Sequence, residues 1–267
     1  MIEAIAERVG EAWLACAAIQ AALWFVQQRT RNAGIVDVGW ALTFTVVIGL
    51  YAARASSPPS AWLPLAAIVA VWSVRLGGYL IARGAASPPE EGRYVDLRAR
   101  WGDGAGARFF VFFQAQAALT ALLSSAMIVP FVIAPRWCAL QIAGAALSAI
   151  GVGGETVADA QLHRWRRDPA NKGKVCDVGL WSWSRHPNYF FEWCVWLGYA
   201  LYGIAFAPWG LVALGAQAII FASIWGVTGI PPTEAQSLRS RGDAYRDYQR
   251  RVSKFIPLPP KSSIPKA

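Results

Sequence analysis

Charge is scarce in this chain: 15% of its 267 residues are Asp, Glu, Lys or Arg, against 55% hydrophobic. An ordinary soluble domain carries about 25% charged residues. Composition therefore excludes the soluble reading that length alone invites. Histidine is scarcer, with only His163 and His186. The four cysteines, Cys16, Cys138, Cys176 and Cys194, form no Cys-x-x-Cys pair. Three of them lie in apolar runs and read as buried thiols, and no zinc spacing is present, so no metal is expected. The chain also lacks Gly-x-Gly-x-x-Gly, a Walker sequence and a serine elbow. That removes support for a dinucleotide-binding Rossmann domain, a P-loop and a Ser-His-Asp hydrolase. No repeat and no low-complexity tract appears. A basic n-region is missing, since the N-terminus carries Glu3 and Glu7; the first apolar run is expected to stay in the protein.

What fills the chain instead is long apolar runs. Hydropathy predicts seven spans, near 9–27, 34–53, 60–82, 109–134, 137–160, 188–206 and 209–229, each close to the ~20 residues a helix needs to cross a bilayer. Pro58-Pro59, Pro64 and Pro135 punctuate this pattern. The expected fold is all-α and polytopic, with membrane lipid as its surroundings. The net charge of +9 is distributed by topology rather than as a nucleic-acid face. Arg29, Arg31, Arg83, the basic residues between Arg93 and Arg108, those between Arg164 and Arg185, and the tail through Lys266 fall on one side. The other side has Arg8, Arg54 and Arg136. The positive-inside rule then puts the C-terminus in the cytoplasm and the N-terminus outside.

Two basic-side segments are amphipathic. Residues 90–106 predict a short helix with Tyr94, Leu97 and Trp101 on one side. The tail places Tyr245, Tyr248 and Val252 at helical spacing before Pro257. Such a C-terminal helix either lies on the membrane or caps a bound anionic cofactor.

The stretch from Cys176 to Gly203 carries the densest chemistry. Gly179-Leu180-Trp181-Ser182-Trp183-Ser184 leads into Arg185-His186-Pro187-Asn188-Tyr189, and Glu192 follows one turn later. Pro187 suits a first helical turn, so Asn188 and Glu192 share a face. An acid one turn into a span is costly unless it meets a cavity or partner. The competing reading is an aromatic belt with a snorkelling Arg185. Glu155 and Asp159 share a face near Arg164 and Arg166, and read as acceptors for ribose hydroxyls or an amide beside cations for phosphate. Asp37, inside the second span, either pairs with the buried Arg75 or lines a cavity, where a protonated carboxyl donates to a carbonyl. Gly77-Gly78 permits close helix approach.

About 120 C-terminal residues resemble the steroid 5-alpha-reductase C-terminal domain, and within that superfamily a bacterial branch of uncharacterised seven-span proteins. The matching residues are Asp159 with Arg166, Gly179-Leu180-Trp181, Asn188-Tyr189, Glu192, Trp196 to Leu201, and Asp247-Tyr248 through Ile256-Pro257. The resemblance implies a single membrane domain, residues 1–267, of the bacterial inner membrane. Residues 1–134 would be its substrate side and 135–267 its cofactor half. It implies NADPH bound from the cytoplasm and reduction of a conjugated carbonyl or double bond in a lipophilic, steroid- or isoprenoid-like substrate. Glu155, Asp159, Arg166, Asn188 and Glu192 would contact the cofactor, with Arg185, His186, Tyr189 and Tyr248 in the same pocket. Asp37 falls where the steroid reductases carry a Glu that polarises the enone. Their partner Tyr falls near Trp72, a departure, which leaves Tyr79 as the candidate phenol.

A second family shares Arg185 to Tyr189: the isoprenylcysteine and phospholipid methyltransferases, which use S-adenosylmethionine. Glu234, Leu238, Tyr245, Tyr248 and Pro257 can be laid on their tail. They usually carry two adjacent acids where this chain has Glu234 then Ala235, and lack the Asp159–Arg166 stretch. The reductase reading therefore ranks first. A transporter ranks below both, without internal symmetry or paired broken helices.

Overall fold

The computed structural model describes residues 2–133 and 139–261. Pro135, Arg136, Cys138 and Lys266 lie outside the described residues. Among the described residues the chain is mainly helix: α1 Ile2–Thr30, α2 Ile35–Ala53, α3 Pro59–Ala82, α4 Gly92–Trp101, α5 Ala105–Ser124, the short α6 Val129–Val132, α7 Ala139–Arg167, α8 Pro187–Ile204, α9 Val212–Ala222 and α10 Ile230–Arg251. Among the described residues the one β pairing is an isolated bridge between Ser184 and Ser253. Six helical stretches among the described residues are long and apolar enough to cross a membrane, so this is an all-α polytopic membrane protein. The seventh expected span is α8, 18 residues long. It is not among the six because Asn188, Glu192 and several Trp and Tyr dilute its apolar run.

The chain forms two compact units. One comprises Met1–Ala145 with Tyr199–Leu214, the other Ala146–Gly198 with Gly215–Ala267. In the first, Trp72 packs edge-to-face with Phe44 at 5.2 Å and Tyr199 at 6.4 Å. The small residue Gly77 lets α3 close on α2: a Cβ there would stand 2.5 Å from Leu42. A second cluster, Ala33, Val36, Tyr94, Ala105, Phe109 and Phe113, is flanked by Leu23, Trp24, Leu97, Trp101 and Phe112. This explains why α4 is helical. Ten residues are too few for a stable isolated helix, and the Tyr94-Leu97-Trp101 face is held by packing.

In the second unit α7 meets α8 through Gly151 and Gly154. A Cβ on either would stand within 2.7 Å or 2.3 Å of Val195 or Phe191 respectively, a small-residue contact suited to membrane helices. The amphipathic tail is α10. At Gly242 its backbone turns to a positive φ of 52°, which only glycine adopts without strain. Beyond that kink Tyr245, Tyr248 and Val252 pack with Val175 and Leu238.

Candidate functional site

The first unit builds a polar cluster where α2 begins. The turn before α2 is tied down by Asn32, whose Oδ1 accepts the Gly34 N–H at 2.9 Å and whose Nδ2 donates to the Ser87 carbonyl at 2.9 Å. Glu90 Oε1 accepts the Ala33 N–H at 2.7 Å. Asp37 then falls in the first turn of α2, where the helix dipole favours an acid. Its carboxylate pairs with the Arg93 guanidinium. The Tyr94 hydroxyl donates to it as well, 3.0 Å from both oxygens. Arg93 also lies over the Tyr94 ring, 4.6 Å from its centroid, a favourable cation–π placement.

The cluster extends outward in two ion-pair chains. Glu91 takes Arg83 at 2.6 Å and Arg93 at 3.1 Å. Glu90 takes Arg98 at 2.8 Å. Burial alone would raise the Glu90 carboxyl, but Arg98 and the Ala33 N–H outweigh it and hold it below the usual carboxylate range. Tyr94 is 1% exposed while the Asp37 side chain is 19% exposed. The acid is thus partly exposed and the phenol beside it is buried.

This differs from the partners expected for Asp37. Its cation is Arg93, not Arg75; the Arg75 guanidinium lies over Tyr79, 5.6 Å from the ring centroid, on α3. Its phenol is Tyr94, not Tyr79. Tyr94 escaped sequence reasoning because its helix face accounted for it as packing. The only local signal was an Arg-Tyr pair ahead of an apolar face.

The second unit gathers the residues around α8. Gly179, at φ 56°, sits against Gln161 of α7, where a Cβ would come within 2.6 Å. Gln161 accepts the Leu180 N–H at 2.9 Å, and Trp181 Nε1 donates to the Ala158 carbonyl at 2.9 Å. The Gly-Leu-Trp run is therefore a fitted clasp on the end of α7. Asp159 and Glu155 on α7 are 3% and 5% exposed. Asn188 Nδ2 donates to Asp159 Oδ1 at 3.4 Å. Arg166 is exposed near the end of α7.

Arg185 and His186 face another way. Arg185 Nε donates to Glu234 Oε1 at 2.7 Å, and its Nη1 to the Gln249 and Val252 carbonyls at 3.0 and 2.9 Å. His186 Nε2 is 3.3 Å from the same Glu234 oxygen, and Gln249 Nε2 donates to Glu234 Oε2 at 3.2 Å. The His186 ring stacks on Tyr189 at 5.5 Å, and Tyr189 reaches Thr233 at 3.3 Å. Burial lowers the His186 pKa, with Arg185 adding to the effect and Glu234 opposing it. Tyr248 donates to the Trp181 carbonyl at 2.5 Å, so its hydroxyl serves to hold the tail. Glu192 accepts from Trp196 Nε1 at 2.9 Å, which gives the intramembrane acid a partner one turn along its own helix. Among the expected residues, then, Asp159 joins Asn188, and Arg185, His186 and Tyr189 join the Glu234 face of α10. Glu234 entered the sequence reading only through the methyltransferase overlay, yet it is the hub of this cluster.

Among the described residues no group of three His, Cys, Asp or Glu could hold a metal ion. No curated protein and no solved structure matches the chain. One family model does, over residues 23–252, a span that takes in Asp37, Tyr94, Asp159, Asn188 and Glu234; the chain belongs to that family, DUF1295, a protein of unknown function.

Proposed function

We propose that the chain is a membrane-embedded, NADPH-dependent reductase of a conjugated carbonyl or its double bond in a lipophilic substrate. One observation carries this reading: the Tyr94 phenol hydrogen-bonded to Asp37, with Arg93 on the same carboxylate. Reduction of a conjugated carbonyl places negative charge on its oxygen, and preorganised donors at that point stabilise the transition state. In the resting protein the single phenolic O–H is spent on Asp37; when substrate binds, it turns to that oxygen and Arg93 is left to hold the carboxylate. Asp37 holds the phenol ready at rest, and Arg93, on that carboxylate and over the ring, supplies the positive charge that compensates both once the O–H has turned. Methyl transfer has no need for such a donor.

The second unit offers groups that suit NADPH. Asp159 and Glu155 are acceptors for ribose hydroxyls, Asn188 offers both a donor and an acceptor for a carboxamide, and the exposed Arg166 offers a fork for phosphate. When bound, NADPH supplies the hydride. Arg185, His186 and Tyr248 are occupied within the chain; their part is to hold the tail against this unit. The proposed setting is the bacterial inner membrane with the arginine-rich loops in the cytoplasm.

The Glu234 hub favours the second reading, an S-adenosylmethionine-dependent methyltransferase, because Arg185 to Tyr189 is the segment shared with that family. A thermal shift of the detergent-purified protein separates the two. At ~100 times its Kd, the true cofactor adds about 2.7 kcal/mol. A shift with S-adenosylmethionine and none with NADPH would overturn the reductase.

A further inference from the structure

A groove of about 490 Å³ opens beside α5, lined by Trp101 of α4 and by Ala107, Arg108, Val111, Phe112 and Ala115. That volume lies within the ~300–1,000 Å³ of small-molecule sites. The five α5 positions fall on one helical face. All are apolar except Arg108, which is exposed. Among the described residues no acid pairs with its guanidinium, not even Asp103 five positions earlier. An apolar trough ending at an uncompensated cation is complementary to a molecule with an apolar body and one anionic end. The groove borders the site already described, with Phe112 as the wall between them. The ring of Phe112 meets that of Tyr94 edge-on at 6.2 Å, and Tyr94 holds Asp37. Whatever lies in the groove is one aromatic ring from that pair.

We infer that the lipid-soluble substrate of the Asp37–Tyr94 pair is an anionic amphiphile that docks in this groove. Its apolar body runs along Val111, Phe112 and Ala115, and its acid group meets Arg108. This rests on reading that pair as the reacting one, and it narrows the substrate from any lipophilic carbonyl compound to an acidic one. Proximity to Tyr94 is what favours a substrate over an ordinary bilayer lipid as the occupant.

The test is direct binding, with no NADPH and no turnover. The full chain is placed in nanodiscs of uncharged phosphatidylcholine. Brominated stearic acid and its methyl ester are titrated as quenchers, and the Trp101 signal is isolated by difference from Trp101→Phe. The acid should bind at least ~tenfold tighter than the ester. Arg108→Gln should abolish that preference while leaving ester binding in place. Ala115→Trp should fill the trough and weaken both ligands, with Ala107→Phe as a second blocking variant should the first fail to fold. Equal binding of acid and ester, or an acid preference that survives Arg108→Gln, overturns the inference. Quenching that neither blocking variant reduces marks ordinary bilayer lipid and overturns it too. Because the readout needs no reduction, a failed reductase assay leaves this result standing. Turnover of a neutral conjugated ketone without acid binding would uphold the Asp37–Tyr94 reading and remove this one.

Discussion

Tyr94→Phe removes one oxygen and little else. The ring keeps its edge contacts with Phe109 at 6.4 Å and Phe112 at 6.2 Å, and keeps Arg93 over its face. The loss to folding is one hydrogen bond to a charged acceptor, about 1.5–3 kcal/mol in general. Here it should fall at the low end, because Asp37 retains Arg93 and its partly exposed side chain can take water. The loss to turnover should be larger. Removing one donor aimed at a developing oxyanion costs about 10²–10³ in kcat, or about 2.7–4 kcal/mol. The assay is NADPH oxidation with a lipid-soluble conjugated ketone, run beside a melting curve of the same preparation. Tyr79→Phe is the control, since Asp37 has its phenol from Tyr94; it should stay within about twofold of wild type. The reasoning fails if Tyr94→Phe lowers the melting temperature yet leaves kcat intact, or if Tyr79→Phe is the variant that loses turnover.

Four further outcomes follow from the same geometry. Arg166→Ala should weaken NADPH by about 1.5–3 kcal/mol and NADH far less, the contribution of a charge-assisted contact to a 2′-phosphate; equal losses by calorimetry would remove Arg166 from the phosphate. Glu192→Gln should keep the fold, because the amide oxygen can still accept from Trp196 Nε1, yet lower cofactor affinity or turnover at least ~tenfold; unchanged binding would make Glu192 a purely structural acid. His186 has its folded pKa lowered, so the unfolded chain binds the extra proton first. Its stability contribution is complete above its unfolded pKa of about 6.5 and is lost as pH falls through the lower folded value. Melting temperatures should therefore drop on acidification below that point, and less steeply in His186→Gln; identical slopes would refute the linkage. Reporter fusions at Ala267 and in the 54–58 loop should report opposite sides of the membrane, as the loop charge requires; the same side for both would end the proposed topology.

Much of the architecture was legible from local pattern. A span is a run of apolar residues, and its signal lies within that run. Hence α2, α3 and the tail helix α10 emerge near their predicted places. The α4 face was equally local: Tyr94, Leu97 and Trp101 stand at helical spacing, and they pack as a face. Gly179 stood in the sequence only as part of the Gly-Leu-Trp run; its positive φ and the lack of room for a Cβ, which admit only glycine, came from the fold.

Partner choice was not local, and tertiary structure decided it. Charge scarcity showed that Asp37 and Arg75 each needed compensation, because lone charges in a span are costly. It did not show which cation would meet which acid. Asp37 and Tyr94 are 57 positions apart, and they meet because α4 packs its aromatic face beside the start of α2. Glu234 and His186 are 48 apart and meet because α10 returns to the start of α8. The sequence by itself determined that this chain is a bundle of membrane helices with a few acids too expensive to be idle. Only the packing of those helices decided that Tyr94, rather than Tyr79, is the phenol on Asp37, and that Arg185 and His186 are spent on Glu234. Burial sets the need for a partner along the chain, but distance in space selects it.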